Sequence, residues 1–454
     1  MPANLTFDAL KKAVAAGEID TVLTCIVDMQ GRLMGKRFHA KHFVESGWEE
    51  THCCNYLLAT DIEMTTVQGY KATSWAAGYG DYVIKPDLAT LRRIPWLEGT
   101  ALVMCDLLDH HTHEEVPHAP RSILKRQVAR AKALGFDAMM ATELEFFLFV
   151  QGFDALNDAG YRHMQTLGRH NADYAIFGTS KEEDVIRAVR NGLYDAGIPI
   201  ECSKGEADAG QEEVNAKYSD ALDTADMHAI IKNGVKEICH QKGRGVTFMA
   251  KYDHHKAGSS SHVHQSLWKD GKPTFRDEKD PLGMSDLMRQ YIAGQLAHAR
   301  EITYFLAPYV NSYKRFVVGM FAPTKAVWSV DNRTAGFRVC GDGTKSIRIE
   351  CRIGGADLNP YLACAALLAA GLDGIEKKME LEPVVSGDIY QAGEVREVPK
   401  TLGEAMALME GSAMLKSAFG AEVVTHYARA ARWEIEEQNR VVTDWEVARG
   451  FERA

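Results

Sequence analysis

Ser346-Ile347-Arg348-Ile349-Glu350-Cys351-Arg352-Ile353 is the stretch on which the reading of the chain turns. Successive side chains of a strand point to opposite faces, so Arg348, Glu350 and Arg352 share one face while the isoleucines and Cys351 share the other. Taken by itself this is equally a half-solvated surface strand.

Two further stretches repeat the pattern. Glu143-Leu-Glu145-Phe-Phe-Leu-Phe149 puts two carboxylates on one face of an apolar run, and Ser261-His262-Val-His264-Gln-Ser266-Leu267 alternates two histidines and a serine with other residues. Three strands carrying Glu, His and Arg on one face suggest a sheet whose polar side surrounds something charged. Paired carboxylates repel unless a cation lies between them, and grouped arginines attract an anion. A phosphorylated ligand carried on divalent metal answers both. A fourth segment, KGEADAGQEEVN (204–215), adds Glu206 and Glu213 on either side of a glycine-containing turn; read alone it is more simply an acidic surface loop.

The composition excludes several classes. With 454 residues, 46% hydrophobic and 25% charged, the chain has the make-up of a globular protein of two or three domains. A net charge of -10 and the absence of a Lys/Arg run argue against nucleic acid or an anionic membrane as partner. Nine scattered cysteines without C-x-x-C spacing read as reduced thiols of a cytoplasmic protein, with neither a disulfide framework nor a zinc site. The first residues, MPANLTFDALKKAVAAG, lack a signal-peptide layout and predict a capped amphipathic helix ending at Gly17. The apolar run Tyr361 to Ala370 is too short to span a bilayer and predicts a buried helix.

Outward from these anchors, Thr21 to Asp28 and Arg32 to Phe38 predict a hairpin turning at Gln30-Gly31, followed by a helix near 39–47, an irregular Gly/Tyr/Trp stretch and a strand from Ala101 to Leu107. LDHHTHEEVPHAP (108–120) carries four histidines without helix or strand period, so an exposed linker is expected there in preference to a metal site. Beyond it, helices are expected at 121–134, 181–195, 224–242, 285–299, 359–376 and 401–432. Strands are expected through Glu143 and near 246–250, 261–268, 326–339 and 346–353. This is an α+β pattern with a small domain over 1–115 and a large one over 116–454.

The ordered motifs ELEFFLF (143–149), KGEADAGQEE (204–213), GSSSHVHQSL (258–267), NSYKR (311–315), DNRTAGFR (331–338), RIECR (348–352) and NPYLACAALLAAGLDGI (359–375) resemble the glutamine synthetase family over nearly the whole chain, to the closing TDWE (443–446). The resemblance implies a β-grasp-like N-terminal domain and a catalytic domain with a curved antiparallel sheet flanked by helices. It implies an ATP-dependent ligase, with subunits in a hexamer or dodecamer that share active sites. Glu145, Glu206 and Glu213 match the ligands of one divalent metal and Glu143, His262 and Glu350 those of another, a donor set suited to Mg²⁺ or Mn²⁺. Arg333 and Arg338 match the arginines on the transferring phosphate, while Arg338, Lys345, Arg348, His264, Ser266 and Tyr218 match the nucleotide side. Arg315, Arg352 and Gly258, beside Glu145 and His262, match the glutamate site. The reaction implied is phosphoryl transfer from ATP to the glutamate γ-carboxylate, followed by displacement of phosphate by an amine.

The sequence departs from the family where ammonia would bind. The flap glutamate of ammonia-using members is matched by Phe321, their Asp-Gly-Ser-Ser motif is missing from residues 48–80, and the Asn of an Asn-Gly pair is Ala257. An aromatic ring in place of a carboxylate removes cation stabilisation and adds apolar surface, which predicts an amine with an organic substituent. The alternatives are that Phe321 is merely packed and Asp61 or Glu63 serves ammonia, that the chain is a non-catalytic relative, or that it is a guanidino phosphotransferase. Tyr390 lies near the family's adenylylated tyrosine, but its flanking residues differ, so an ordinary surface or packed tyrosine is expected.

Overall fold

Two sheets organise the computed structural model, which describes residues 5–454. In the first, Thr21–Val27 and Leu33–His39 form the expected hairpin. Asp28 fixes its turn, with Oδ1 accepting from the backbone N–H groups of Gln30 and Arg32 at 3.0 and 2.8 Å. Thr100–Asp109 lies parallel to the first strand, and Asp81–Pro86 and Thr51–Cys54 extend the sheet antiparallel. A hairpin whose first strand is flanked by a later parallel strand is a β-grasp-like arrangement. The N-terminal helix runs over Phe7–Ala15, capped by Thr6, and Gly17 takes φ +74° just past its end. Residues 1–4 of the quoted N-terminal stretch lie outside the described residues.

The second sheet has ten strands around the long strand Asp137–Phe149. On one side of it stand Val263–Lys269, Arg348–Cys351, Phe337–Cys340 and Trp328–Val330; on the other stand Gln211–Ala216 and Ile200–Gly205. All these neighbours are antiparallel except the outermost pair, Trp328–Val330 with Phe337–Cys340, which is parallel. Registration decides what faces the same side. Arg338 stands opposite Glu350, Glu350 opposite His264, and Glu145 opposite Glu213, so the charged positions line up across strands.

The other side of this sheet carries the core. The helix Pro360–Glu376 is buried through Gly374, as its apolar run predicts, and packs against Asp286–Leu306. At Gly294 the two helices approach so closely that a Cβ would lie 2.2 Å from the Ala370 carbonyl oxygen. Arg121 ties the first sheet to the helix Ala221–Gln241: its guanidinium contacts Asp226 at 3.0 Å, Asp106 at 2.5 Å and Asp87 at 2.8 Å, while the Tyr361 hydroxyl donates to Asp226 at 2.6 Å.

Several expectations need correction. The single helix expected over 401–432 is three helices, Leu402–Gly411, Ala413–Phe419 and Ala421–Arg440, because Ser412 caps the second and Gly420 turns the chain at φ +99°. The strand near 326–339 is two short strands separated by a turn, and that near 246–250 shrinks to Gly245–Thr247. The helix begun near 285 continues to Leu306, and Asp444–Gly450 adds a helix that the periodicity missed. Residues 108–120 are not an exposed linker throughout. His118 is buried, accepts or donates at 3.0 Å to the Tyr82 hydroxyl and lies 4.2 Å from the His426 ring. Burial, followed by the charge of Arg126, pushes His118 down to about 4. All nine cysteines are free thiols, and among the described residues no helix is long and apolar enough to cross a membrane.

Candidate active site

The polar face of the large sheet gathers the carboxylates and imidazoles of four separate segments. Donor atoms of Glu145, Glu206 and Glu213 lie within 4.8 Å of one another, and so do those of Glu143, His264 and Glu350. Glu143 stands between two imidazoles: its Oε2 is 2.7 Å from His262 Nδ1 and its Oε1 is 2.8 Å from His264 Nε2. His262 Nδ1 is also 3.3 Å from Glu350 Oε1. The structure therefore brings both imidazoles to these carboxylates, where the sequence comparison singled out His262.

The electrostatics of the two groups differ. Glu213 is pushed up to about 9, first by burial and then by the charges of Glu143, Glu145 and Glu206. Glu145 is pushed up to about 7 by burial and then by Glu206, against hydrogen bonds from Ser260 N–H and Oγ at 2.7 and 2.6 Å. Glu350 faces cations: burial opposes its ionisation, but Arg352 and His262 hold it down at about 2. Arg352 donates to its Oε1 at 2.6 Å and Arg338 to its Oε2 at 3.1 Å. At half-buried Glu143 desolvation again opposes ionisation, but hydrogen bonds from His262 and His264 hold it well below the usual carboxylate range. Crowded hard oxygen donors that resist simultaneous ionisation fit divalent cations, which relieve the repulsion that protons otherwise relieve.

The remaining predicted residues divide into three places. Tyr218, His264, Ser266, Lys345 and Arg348 line one cleft of 560 Å³ beside this face, with Trp268 5.8 Å from the Tyr218 ring and Arg348 Nε donating to His264 Nδ1 at 3.1 Å. Arg315 is buried; its Nη2 donates to the carbonyls of Arg352, Ile353 and Gly354 at 3.0, 2.9 and 2.6 Å, and burial lowers it to about 10. Gly258 packs on it so tightly that a Cβ would stand 2.3 Å from Arg315 Cγ. Arg333 is exposed, with its carbonyl accepting from Arg352 Nε at 3.1 Å. Phe321 lies apart, on the loop after Arg315, 58% exposed and at φ +54°.

Other participants were not singled out from sequence. Lys204 bonds Glu206 and stands 3.0 Å from Asp173, Asp331 bonds Arg338, and Asn215 donates to Glu213 at 2.8 Å. Lys204 and Asn215 flank glutamates that the carboxylate reading had already marked, so adjacency was the available signal. Asp61, the alternative ammonia ligand, has both oxygens engaged: Oδ1 accepts from the backbone of Glu63 and Thr65 at 3.0 and 2.8 Å, and Oδ2 from Trp433 Nε1 at 2.9 Å. Tyr390 is half-buried and donates to the Ala322 carbonyl at 3.1 Å, so it is a packed tyrosine. The four histidines of 108–120 form no group with metal-donor spacing among the described residues.

Residues 117–450 match the family description "Glutamine synthetase, catalytic domain". The chain is 47% identical to a γ-glutamylethanolamide synthetase of Streptomyces coelicolor, covering 99% of this chain and 96% of that protein. It is 36% identical to a glutamate–isopropylamine ligase of a Pseudomonas species, covering 95% of each. Its fold superposes on the structure titled "GmaS/ADP complex" with a TM-score of 0.85 at 27% identity, covering 98% of this chain and 99% of that one. With a catalytic-domain match over most of its length and relatives aligned almost end to end, the chain belongs to the glutamine synthetase family.

Proposed function

We propose that the protein is a γ-glutamylamide synthetase: an ATP-dependent ligase that joins the γ-carboxylate of glutamate to an organic amine through γ-glutamyl phosphate. The observation that carries the reading beyond the family is the loop after Arg315. It presents Val318, Met320 and Phe321 to solvent and contains no acidic residue between Phe316 and Pro323. Such a surface gains about 1.5–3 kcal/mol for each large apolar group it covers, and it offers a small hydrated cation nothing in exchange. The names of the Streptomyces and Pseudomonas relatives, which specify ethanolamide and isopropylamine, support the same acceptor class. The engagement of both Asp61 oxygens weighs against an ammonia site built on that carboxylate.

The roles follow from charge and position. Two or more divalent ions, Mg²⁺ or Mn²⁺, would be held by Glu145, Glu206 and Glu213 and by Glu143, Glu350 and His262, with His264 also in reach. Bound there, they would neutralise charge on the transferring phosphoryl group. Arg338 and Arg333 would stabilise the charge of that group as it passes to the glutamate γ-carboxylate. The cleft of Tyr218, His264, Ser266, Lys345 and Arg348 would take the nucleotide, with Tyr218 offering a ring face to the base. Arg315 and Arg352, with the Gly258 backbone, would orient glutamate beside Glu145. We place the domain division at 1–115 and 116–454, the assembly as a hexamer or dodecamer with shared sites, and the enzyme in the cytoplasm.

A panel of alkyl, hydroxyalkyl and aralkyl amines, with ammonia alongside, assayed for ADP and for the γ-glutamyl product, tests the reading. An organic amine is expected to be the best acceptor; ammonia as the best acceptor would overturn it.

A further inference from the structure

We propose that Tyr390 is a positioning residue for the acceptor half of the reaction, its phenol holding the loop 316–323 in place beside the glutamate-side arginines. The proposal rests on the ligase reading above and adds what keeps water from taking the place of the amine.

The loop has little to hold it. Val317, Val318, Met320 and Phe321 are 40%, 58%, 39% and 58% exposed. Two of its residues are left-handed, Gly319 at φ +81° and Phe321 at φ +54°. A non-glycine residue in that region costs about 1–2 kcal/mol, so other contacts must maintain it. Tyr390 supplies one: its hydroxyl donates to the carbonyl of Ala322 at 3.1 Å, the residue directly after Phe321. One phenol thus engages the main chain immediately after the strained residue.

Tyr390 is itself immobilised on the sheet. Its N–H is capped by Asp388 Oδ1 at 3.0 Å, and the preceding Ile389 is fully buried against Val327 and Ala335. Ile389 N–H donates to Thr334 Oγ1 at 3.2 Å, and Asn332 Nδ2 donates to the Gly387 carbonyl at 2.8 Å. The 331–336 turn so engaged carries Arg333, whose carbonyl takes Arg352 Nε. Arg352 in turn offers its carbonyl to Arg315 Nη2 at 3.0 Å, so the segment that holds Tyr390 is tied to the glutamate-side arginines.

If the loop is released, water reaches the activated acyl group. Water adds to the γ-acyl carbon, the acyl C–O bond to phosphate breaks, and glutamate and inorganic phosphate leave with the two protons of that water. ATP is then consumed without amide formation.

The test is Tyr390→Phe in the full chain, with ADP and γ-glutamylamide quantified for ethanolamine and for ammonia. Loss of one hydrogen-bonding hydroxyl is expected to raise the KM for the amine about fivefold to tenfold and to raise the ADP-to-amide ratio by a similar factor. The KM values for glutamate and ATP and the thermal midpoint are expected to match the parent protein, while chymotryptic cleavage at Phe321 quickens. An unchanged ratio and amine KM would overturn the proposal. So would a uniform rise in all KM values together with a lower midpoint, which would mark a general packing role. The parent protein's ranking of ethanolamine and ammonia reports on the acceptor class alone. If ammonia ranks first, that reading falls, while the ADP-to-amide ratio measured with ammonia still judges the tyrosine.

Discussion

On the function proposed above, the carboxylate-lined face and the loop over residues 316–323 solve opposite problems. The first concentrates charge: Glu143, Glu145, Glu213 and Glu350 stand on registered strands and Glu206 just past the end of one, with two histidines and two arginines among them. The second avoids charge, exposing aliphatic and aromatic side chains on a backbone that includes left-handed residues. A sheet suits the first task because its ladder holds mutually repelling groups in register. A loop suits the second, since acceptor choice depends on the shape and polarity of a surface that can vary without disturbing the strands. Activation and acceptor choice should therefore be separable by mutation.

The largest expected effect breaks the charged side. Glu350 is the point where Arg338, Arg352 and His262 meet. Glu350→Gln keeps the volume while removing the charge, and glutamate-dependent ADP release is expected to fall by on the order of 10²–10³-fold, comparable to deleting a preorganised electrostatic partner. Arg338→Ala is expected to act similarly. Near-normal turnover in either folded variant would remove both residues from phosphoryl transfer.

Metal removal gives the next effect, with a defined direction in pH. Burial and neighbouring carboxylates raise Glu145 to about 7 and Glu213 to about 9 from the ordinary value of 4.5. The folded protein then holds protons that the unfolded chain has released, so this contribution is present below about pH 4.5 and is lost as pH rises through these values. The thermal midpoint of chelator-treated protein is expected to decline between about pH 6 and about pH 9. Added Mg²⁺ is expected to restore more at the alkaline end, by about 3 kcal/mol at a hundredfold excess over its dissociation constant. A metal-independent midpoint at alkaline pH would show that these carboxylates do not share a cation.

The two regions also differ in how far the sequence discloses them. Alternation placed Arg348, Glu350 and Arg352 on one face, and Arg338, Glu350 and His264 do stand in one row because strand geometry is local and repetitive. The helix Pro360–Glu376 was equally legible, since an uninterrupted apolar run has only the interior to occupy. What pattern could not supply depends on distant partners. His118 leaves solvent because His426 and Tyr82 meet it, and no periodicity in 108–120 records that contact. The breaks at Ser412 and Gly420 are single-residue capping decisions inside a continuous helical pattern. Lys204 and Tyr390 find their roles through partners whose proximity depends on the fold, Asp173 for one and Ala322 for the other. From sequence Tyr390 reads only as an ordinary surface or packed tyrosine.

The smallest expected effect is the one that most sharpens the contrast. Phe321→Glu returns a carboxylate to the loop and removes one large apolar group from it. The preference for an organic amine over ammonia is expected to fall by about tenfold, the equivalent of partly burying one such side chain. Phe321→Leu, which keeps the surface apolar, should keep most of the preference. Because Phe321 lies outside the charged face, the change belongs in acceptor kinetics and should leave the Mg²⁺-dependent gain in thermal midpoint as it was. A Glu substitution that altered metal binding and left acceptor preference untouched would invert the division of labour, since the loop would then be acting on the cations and the sheet would be selecting the amine.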